Sequence, residues 1–190
     1  MNQIESKQKC PPNHAVAHGG NNKVYYIRRE VSTLVEKDTH TARKIRNLIL
    51  LFLLTTKKKL HSWLLTDVKA TNFYDEKRNV AIDKFCNSRE ISKTTFLRIK
   101  STVNKYHRLC GNHEEIVKFE QPIRQHLTIL ALLDYLLHES VAMQHFCDLF
   151  QISRRTFFRY ISKIENFLYN EHVSEWNVAI TNDGEYCLVC

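Results

Sequence analysis

One segment of this chain occurs twice. Laying VAIDKFCNSREISKTTFLR (80–98) over VAMQHFCDLFQISRRTFFR (141–159) gives nine identities in 19 positions: Val, Ala, Phe, Cys, Ile, Ser, Thr, Phe and Arg. Several mismatches are conservative, pairing Ile82 with Met143, Glu90 with Gln151 and Lys93 with Arg154. Such self-similarity restricts the fold to one supersecondary unit built twice, and it predicts two small domains in tandem. With 190 residues and 43% hydrophobic content, the chain is long and apolar enough to bury a core.

The second copy spells out the unit. Val141, Met143, Phe146 and Cys147 form the inner face of a short helix, Leu149 and Phe150 close it, and Gln151-Ile152 make a turn. Ser153 is a good N-cap for a second helix, because its hydroxyl can accept from the backbone N–H two or three residues on. Along that helix Phe157, Tyr160, Ile161 and Ile164 recur at helical spacing and face inward, which leaves Arg154, Arg155, Arg159 and Lys163 on or near the opposite side. The first copy offers Ser92, Lys93, Thr94, Thr95 and Arg98 in the same places. A short helix, a tight turn and a second helix with an exposed face of Arg, Ser and Thr is the helix-turn-helix that enters the DNA major groove. In that geometry Arg154 and Arg155 stand where base edges are contacted, while Ser153, Arg159 and Lys163 suit phosphates.

The flanks extend the pattern. Residues 1–22, with Pro11-Pro12 and Gly19-Gly20, read as part of a flexible arm that ends near residue 40, and 23–35 has strand-forming content. From Thr41, Ile45, Leu48, Ile49, Phe52 and Leu53 mark a buried helix, and LHSWLLTDVKA suggests another. WNVAIT and EYCLVC, joined by NDG, predict a β-hairpin after the second copy, and RLCGNHEEIVKF predicts a shorter one at Gly111-Asn112 after the first. The expected fold is mainly α with small β-hairpins: an arm over 1–40, then winged helix-turn-helix domains over 41–120 and 121–190.

Charge points the same way: 28 Lys and Arg against 20 Asp and Glu give +8, which favours a polyanionic partner. The polar opening residues have no signal-peptide core, and LILLFLL falls well short of the ~20 residues that span a bilayer, so a cytoplasmic location without membrane contact is expected. Six cysteines in such a chain imply reduced thiols, with Cys86 and Cys147 packed inside. His107, Cys110 and His113, and Cys187 with Cys190, have weak metal-ligand spacing and lie in different repeats. Asp67, Asp75, Asp83 and Asp134 read as surface acids more readily than as a carboxylate metal set. No nucleophile motif or glycine-rich phosphate loop is present, so neither enzymatic activity nor a cofactor is expected.

The motif Ile-Ser-x-x-Thr-Phe-x-Arg, preceded by FCDLFQ and followed by a helix and hairpin, resembles the winged helix-turn-helix modules of Mga-type transcriptional activators of Gram-positive bacteria. Related modules occur in activators with phosphotransferase-system regulation domains. The resemblance spans roughly 41–190 and is best in the second copy. It implies that Arg154, Arg155, Thr156 and Arg159, with Lys93, Thr94 and Arg98, lie on DNA-facing helices, and that WNVAITNDGEYCLV is the wing. Ser88 and Arg89 depart from it, standing where the second copy has apolar Leu149 and Phe150, so the first module is expected to pack differently. The expected function is a regulator of transcription that binds double-stranded DNA, alone or as a homodimer. Alternatives are the DNA-binding front of a transposase or replication initiator, and a winged-helix module that docks on protein.

Overall fold

The computed structural model describes residues 25–26, 39–56, 73, 80–171, 173 and 176–189. Most of the arm, most of the 23–35 segment and the helix expected at 60–70 lie outside them. Among the described residues the protein is mainly helical with a small antiparallel sheet. In chain order the elements are β1 (Tyr25–Tyr26), α1 (His40–Thr55), α2 (Ile82–Ser88), α3 (Lys93–Leu109), α4 (His113–Ile116), α5 (Ile123–His138), β2 (Val141–Ala142), α6 (Met143–Phe150), α7 (Arg154–Asn170), β3 (Asn177–Ile180) and β4 (Glu185–Val189). The sheet order is β1-β3-β4-β2, with every neighbouring pair antiparallel.

Both copies fold into the same local frame. Glu90 and Gln151 occupy equivalent positions after the shorter helix, and both take the left-handed conformation, with φ of 51°. That turn breaks the helix and aims the chain at the next N-cap. Ser92 Oγ then accepts from Thr95 N at 3.1 Å and Ser153 Oγ from Thr156 N at 3.2 Å. The aromatic packing repeats as well: Phe85 meets Phe96 edge-on at 5.3 Å and 63°, and Phe146 meets Phe157 at 5.7 Å and 64°. Cys86 and Cys147 are buried beside these rings, and burial raises both thiol pKa values.

Two expectations need correction. Val141 and Ala142 are a strand, not the start of the helix, because they pair with Tyr186 and Glu185 of β4. The hairpin expected at Gly111-Asn112 is a helix-to-helix turn. Val103 and Tyr106 continue the buried spacing of Phe96 and Ile99, so α3 runs on to Leu109. Cys110 and Gly111 then turn through positive φ, and Asn112 caps α4 by accepting from Glu115 N at 3.3 Å. The later hairpin does form, closed by Gly184 at φ 78° with Gly184 N donating to Thr181 O at 3.0 Å.

Helices of both copies share one continuous core. The buried side of α1, including Ile45, Leu48, Ile49 and Phe52, packs on α3, α5 and α7, and α5 in turn packs on α3 and α7. The unusually apolar LILLFLL run is thus explained by a helix covered from several sides. Arg89, just before α3, reaches Glu171, just after α7, while the rings of His113 and Phe150 meet at 6.2 Å near the other ends. The two long helices therefore run antiparallel.

Arg89 accounts for the departure of the first copy from the second. Where Phe150 fills the core, the Arg89 guanidinium forms a two-pronged pair with Glu171 and donates from Nε to Asn47 Oδ1 at 2.8 Å. Side-chain exposure of only 19% for Arg89 and 9% for Glu171 makes this clamp sensitive to loss of one partner, which would strand the other charge. Arg89→Ala is expected to destabilise the protein by roughly 2–3 kcal/mol, and Arg89→Ala with Glu171→Ala by less than the sum of the single changes. Urea denaturation of the four proteins checks this, and a loss no larger than for an exposed surface change would remove the clamp.

Candidate nucleic-acid interface

The cations of the repeat are displayed because their neighbours on the helix are buried. On α7, Phe157, Tyr160, Ile161 and Ile164 are buried, and Arg154, Arg155, Phe158 and Arg159 are exposed. On α3, Phe96, Ile99, Val103 and Tyr106 are buried, and Lys93, Thr94, Leu97, Arg98, Lys100 and Arg108 are exposed. Ser92 and Ser153 stand exposed at the helix starts, with Thr95 and Thr156 half-buried one turn on. The expected residues are thereby brought to one side of each helix, with one exception. Lys163 is half-buried on the flank of α7, close enough to His126 of α5 to act on its titration.

The two faces differ in how their charge is compensated. Lys93 Nζ pairs with Asp83 Oδ1 at 2.8 Å, and this hydrogen bond raises the lysine pKa. At the equivalent place Arg154 donates to Gln144 Oε1 at 2.8 Å from an Nη and 3.2 Å from Nε, so it is oriented by a neutral group. Among the described residues no carboxylate pairs with Arg98, Lys100, Arg155 or Arg159. Arg159 lies 6.0 Å from the Tyr160 ring, and burial raises the pKa of that tyrosine.

Neither long helix has an acidic residue in its first turn, yet α7 opens on Arg154-Arg155 and α3 on Lys93. The helix dipole disfavours cations there by about 0.3–1 kcal/mol each. Between the N-terminal ends of α5 and α7 lies a cavity of about 490 Å³, lined among others by Arg124, Gln125, Ser153, Thr156 and Arg159. Arg124 is fixed at its rim by donating to Phe150 O at 2.9 Å.

Sequence reasoning passed over Lys100 and Arg108 on α3 and Arg124 on α5. The first two continue the exposed stripe beyond the repeated segment, and a helical wheel drawn through residue 109 finds them. Arg124 comes from a different element, so nothing in the spacing connects it to Arg159. The β3–β4 hairpin carries Asp183 and Glu185 and no lysine or arginine.

The other constellations are accounted for by their neighbours. Asp134 accepts from Tyr106 Oη at 3.0 Å, and Asp83 holds Lys93; Asp67 and Asp75 lie outside the described residues. His107 Nε2 is 3.3 Å from Thr55 Oγ1, and Cys110 Sγ donates to the His107 carbonyl. Among the described residues no three His, Cys, Asp or Glu side chains converge as metal ligands would, and no helix is long and apolar enough to cross a membrane.

Comparison with protein-family models, with curated proteins and with solved structures finds no match.

His126 gives the interface region a pH dependence. It is buried, and desolvation, then Lys44 and Lys163, hold its pKa down at about 4. The folded state disfavours the protonated ring, so stability is complete above the ordinary histidine pKa near 6.5 and is lost as pH falls from there through about 4. The expected loss is at most about 3 kcal/mol by pH 4, and His126→Leu should flatten that part of the stability profile. Thermal melts between pH 7 and pH 4 test it, and an unchanged profile in the variant would assign the acid sensitivity elsewhere.

Proposed function

We propose that this chain is a DNA-binding transcription regulator built from two winged helix-turn-helix modules, which reads duplex DNA with α3 and α7. The observation that carries the reading is the pair of serine-capped helices, each with its apolar side buried and with exposed cations on the opposite side, of which Arg98, Lys100, Arg155 and Arg159 pair with no carboxylate among the described residues. In the second copy the order α5, β2, α6, α7 and hairpin, with β2 pairing β4, has the layout expected of such a module. Cations at the start of α7, where the helix dipole works against them, are accounted for if a polyanion supplies the missing partner. The resemblance of the repeated motif to Mga-type activators supports the same conclusion.

Roles follow from position. Arg155, with no side-chain partner among the described residues, and Arg154, set by Gln144, meet base edges at the start of α7, where a bidentate arginine–guanine pair is worth about 1–3 kcal/mol of discrimination. Arg98, Lys100 and Arg159 bind phosphates, with Arg124 adding to the Arg159 side. The acidic hairpin contributes no phosphate contact of its own, so affinity rests on the helices.

Contact with ~6–8 phosphates predicts that log K falls against log salt with a slope of about −5 to −7. Arg154→Ala and Arg155→Ala should relax sequence preference, while Lys163→Ala leaves it in place. Arg155→Glu should abolish binding yet leave stability unchanged or slightly raised, since it puts an acid where the dipole favours one. Fluorescence anisotropy across a salt series, paired with thermal melts, measures all of this; a slope near zero would refute the proposal.

A further inference from the structure

Among the described residues four large apolar side chains are exposed, and two of them, Leu97 at 56% and Phe158 at 36%, hold the same position in the two copies. A single exposed apolar residue is ordinary. Exposure at one repeat position in both copies asks for a reason. A helix advances about 100° per residue, which puts this position on the exposed arc of both helices, in angle between the first and second helical residues. Phe158 stands one turn beyond Arg154, flanked on the helix surface by Arg154 and Arg155; Leu97 stands one turn beyond Lys93, flanked by Lys93 and Thr94.

Phe158 is also held in place. Its ring lies edge-on to Phe157 at 5.8 Å and to Tyr186 of β4 at 6.2 Å, so the hairpin braces it from the side while its outer surface stays open. An apolar group fixed on a cationic helix face has one complement on the major-groove edge of DNA, the 5-methyl group of thymine. We propose that Phe158 in the second copy and Leu97 in the first are specificity-determining residues that contact thymine 5-methyl groups. This rests on the duplex-reading function proposed above. The cations around each residue bring it to the groove floor, and the apolar contact then separates thymine from the other bases there.

The test uses the full chain and duplexes recovered by it from a random pool. The best duplex is remade with deoxyuridine in place of thymidine at each position in turn, which removes only the methyl group and keeps the base pairing. At one position wild-type protein should bind about fourfold more weakly, the equivalent of one buried methyl group. Phe158→Ala, its fold checked by circular dichroism and melting temperature, should bind the thymine duplex about that much more weakly and no longer distinguish thymine from uracil at that position. Leu97→Ala should do the same at a second, separate position. Equal wild-type affinity for every uracil substitution, or full methyl discrimination kept by Phe158→Ala, overturns the inference and leaves duplex binding intact. A pool from which nothing is enriched overturns duplex reading itself, and this inference with it.

Discussion

The orientation of each long helix depends on one aromatic contact made twice. Phe85 against Phe96, and Phe146 against Phe157, meet edge-on at nearly equal distances and angles. Rings locked in this way fix the rotation of the second helix about its own axis as well as its distance from the first. Once the phenylalanine points in, residues one, two and three places before it, and the one or two after it, have no choice but to point out or sideways. The display of Arg154, Arg155 and Arg159 is thus a geometric by-product of burying Phe157, and the same holds for Lys93, Thr94 and Arg98 around Phe96.

What turns two similar units into one body is the way the remaining helices are shared. α1 touches the long helix of each copy, and so does α5. Arg89 adds a polar tie at the place where its counterpart in the second copy, Phe150, is part of the apolar core. Buried ion pairs are seldom net stabilisers, but they are selective: a guanidinium held by Glu171 and Asn47 accepts only one alignment of the copies. The departure from the repeat therefore marks an interface between the copies.

Much of this was legible in the sequence, because the information was local. The serine caps, the left-handed turn before them, the inward phenylalanines and the hairpin at Asn182-Asp183-Gly184 all depend on residues within a few positions of one another, and the repeat states them twice. Where the reading failed, a longer-range effect outweighed a local signal. Gly111-Asn112 has the composition of a hairpin turn, but Val103 and Tyr106 already commit the preceding residues to the core as a helix. Val141 reads as the start of the helix that carries Phe146, yet β4 claims it and Ala142 as strand partners. The convergence of Arg124 on the Arg159 side, and of His126 with Lys44 and Lys163, joins elements distant in the chain and leaves no trace in spacing.

The opposed directions of α3 and α7 have a consequence for shape. Each helix is 17 residues long, about 25 Å. Their starting turns therefore lie toward opposite ends of a single core and point in opposite senses. An elongated partner touching both would meet them as oppositely directed handles. A lone polypeptide thus carries two oppositely directed helix starts on one body, and because the copies differ in how their charge is compensated, the two handles are not interchangeable.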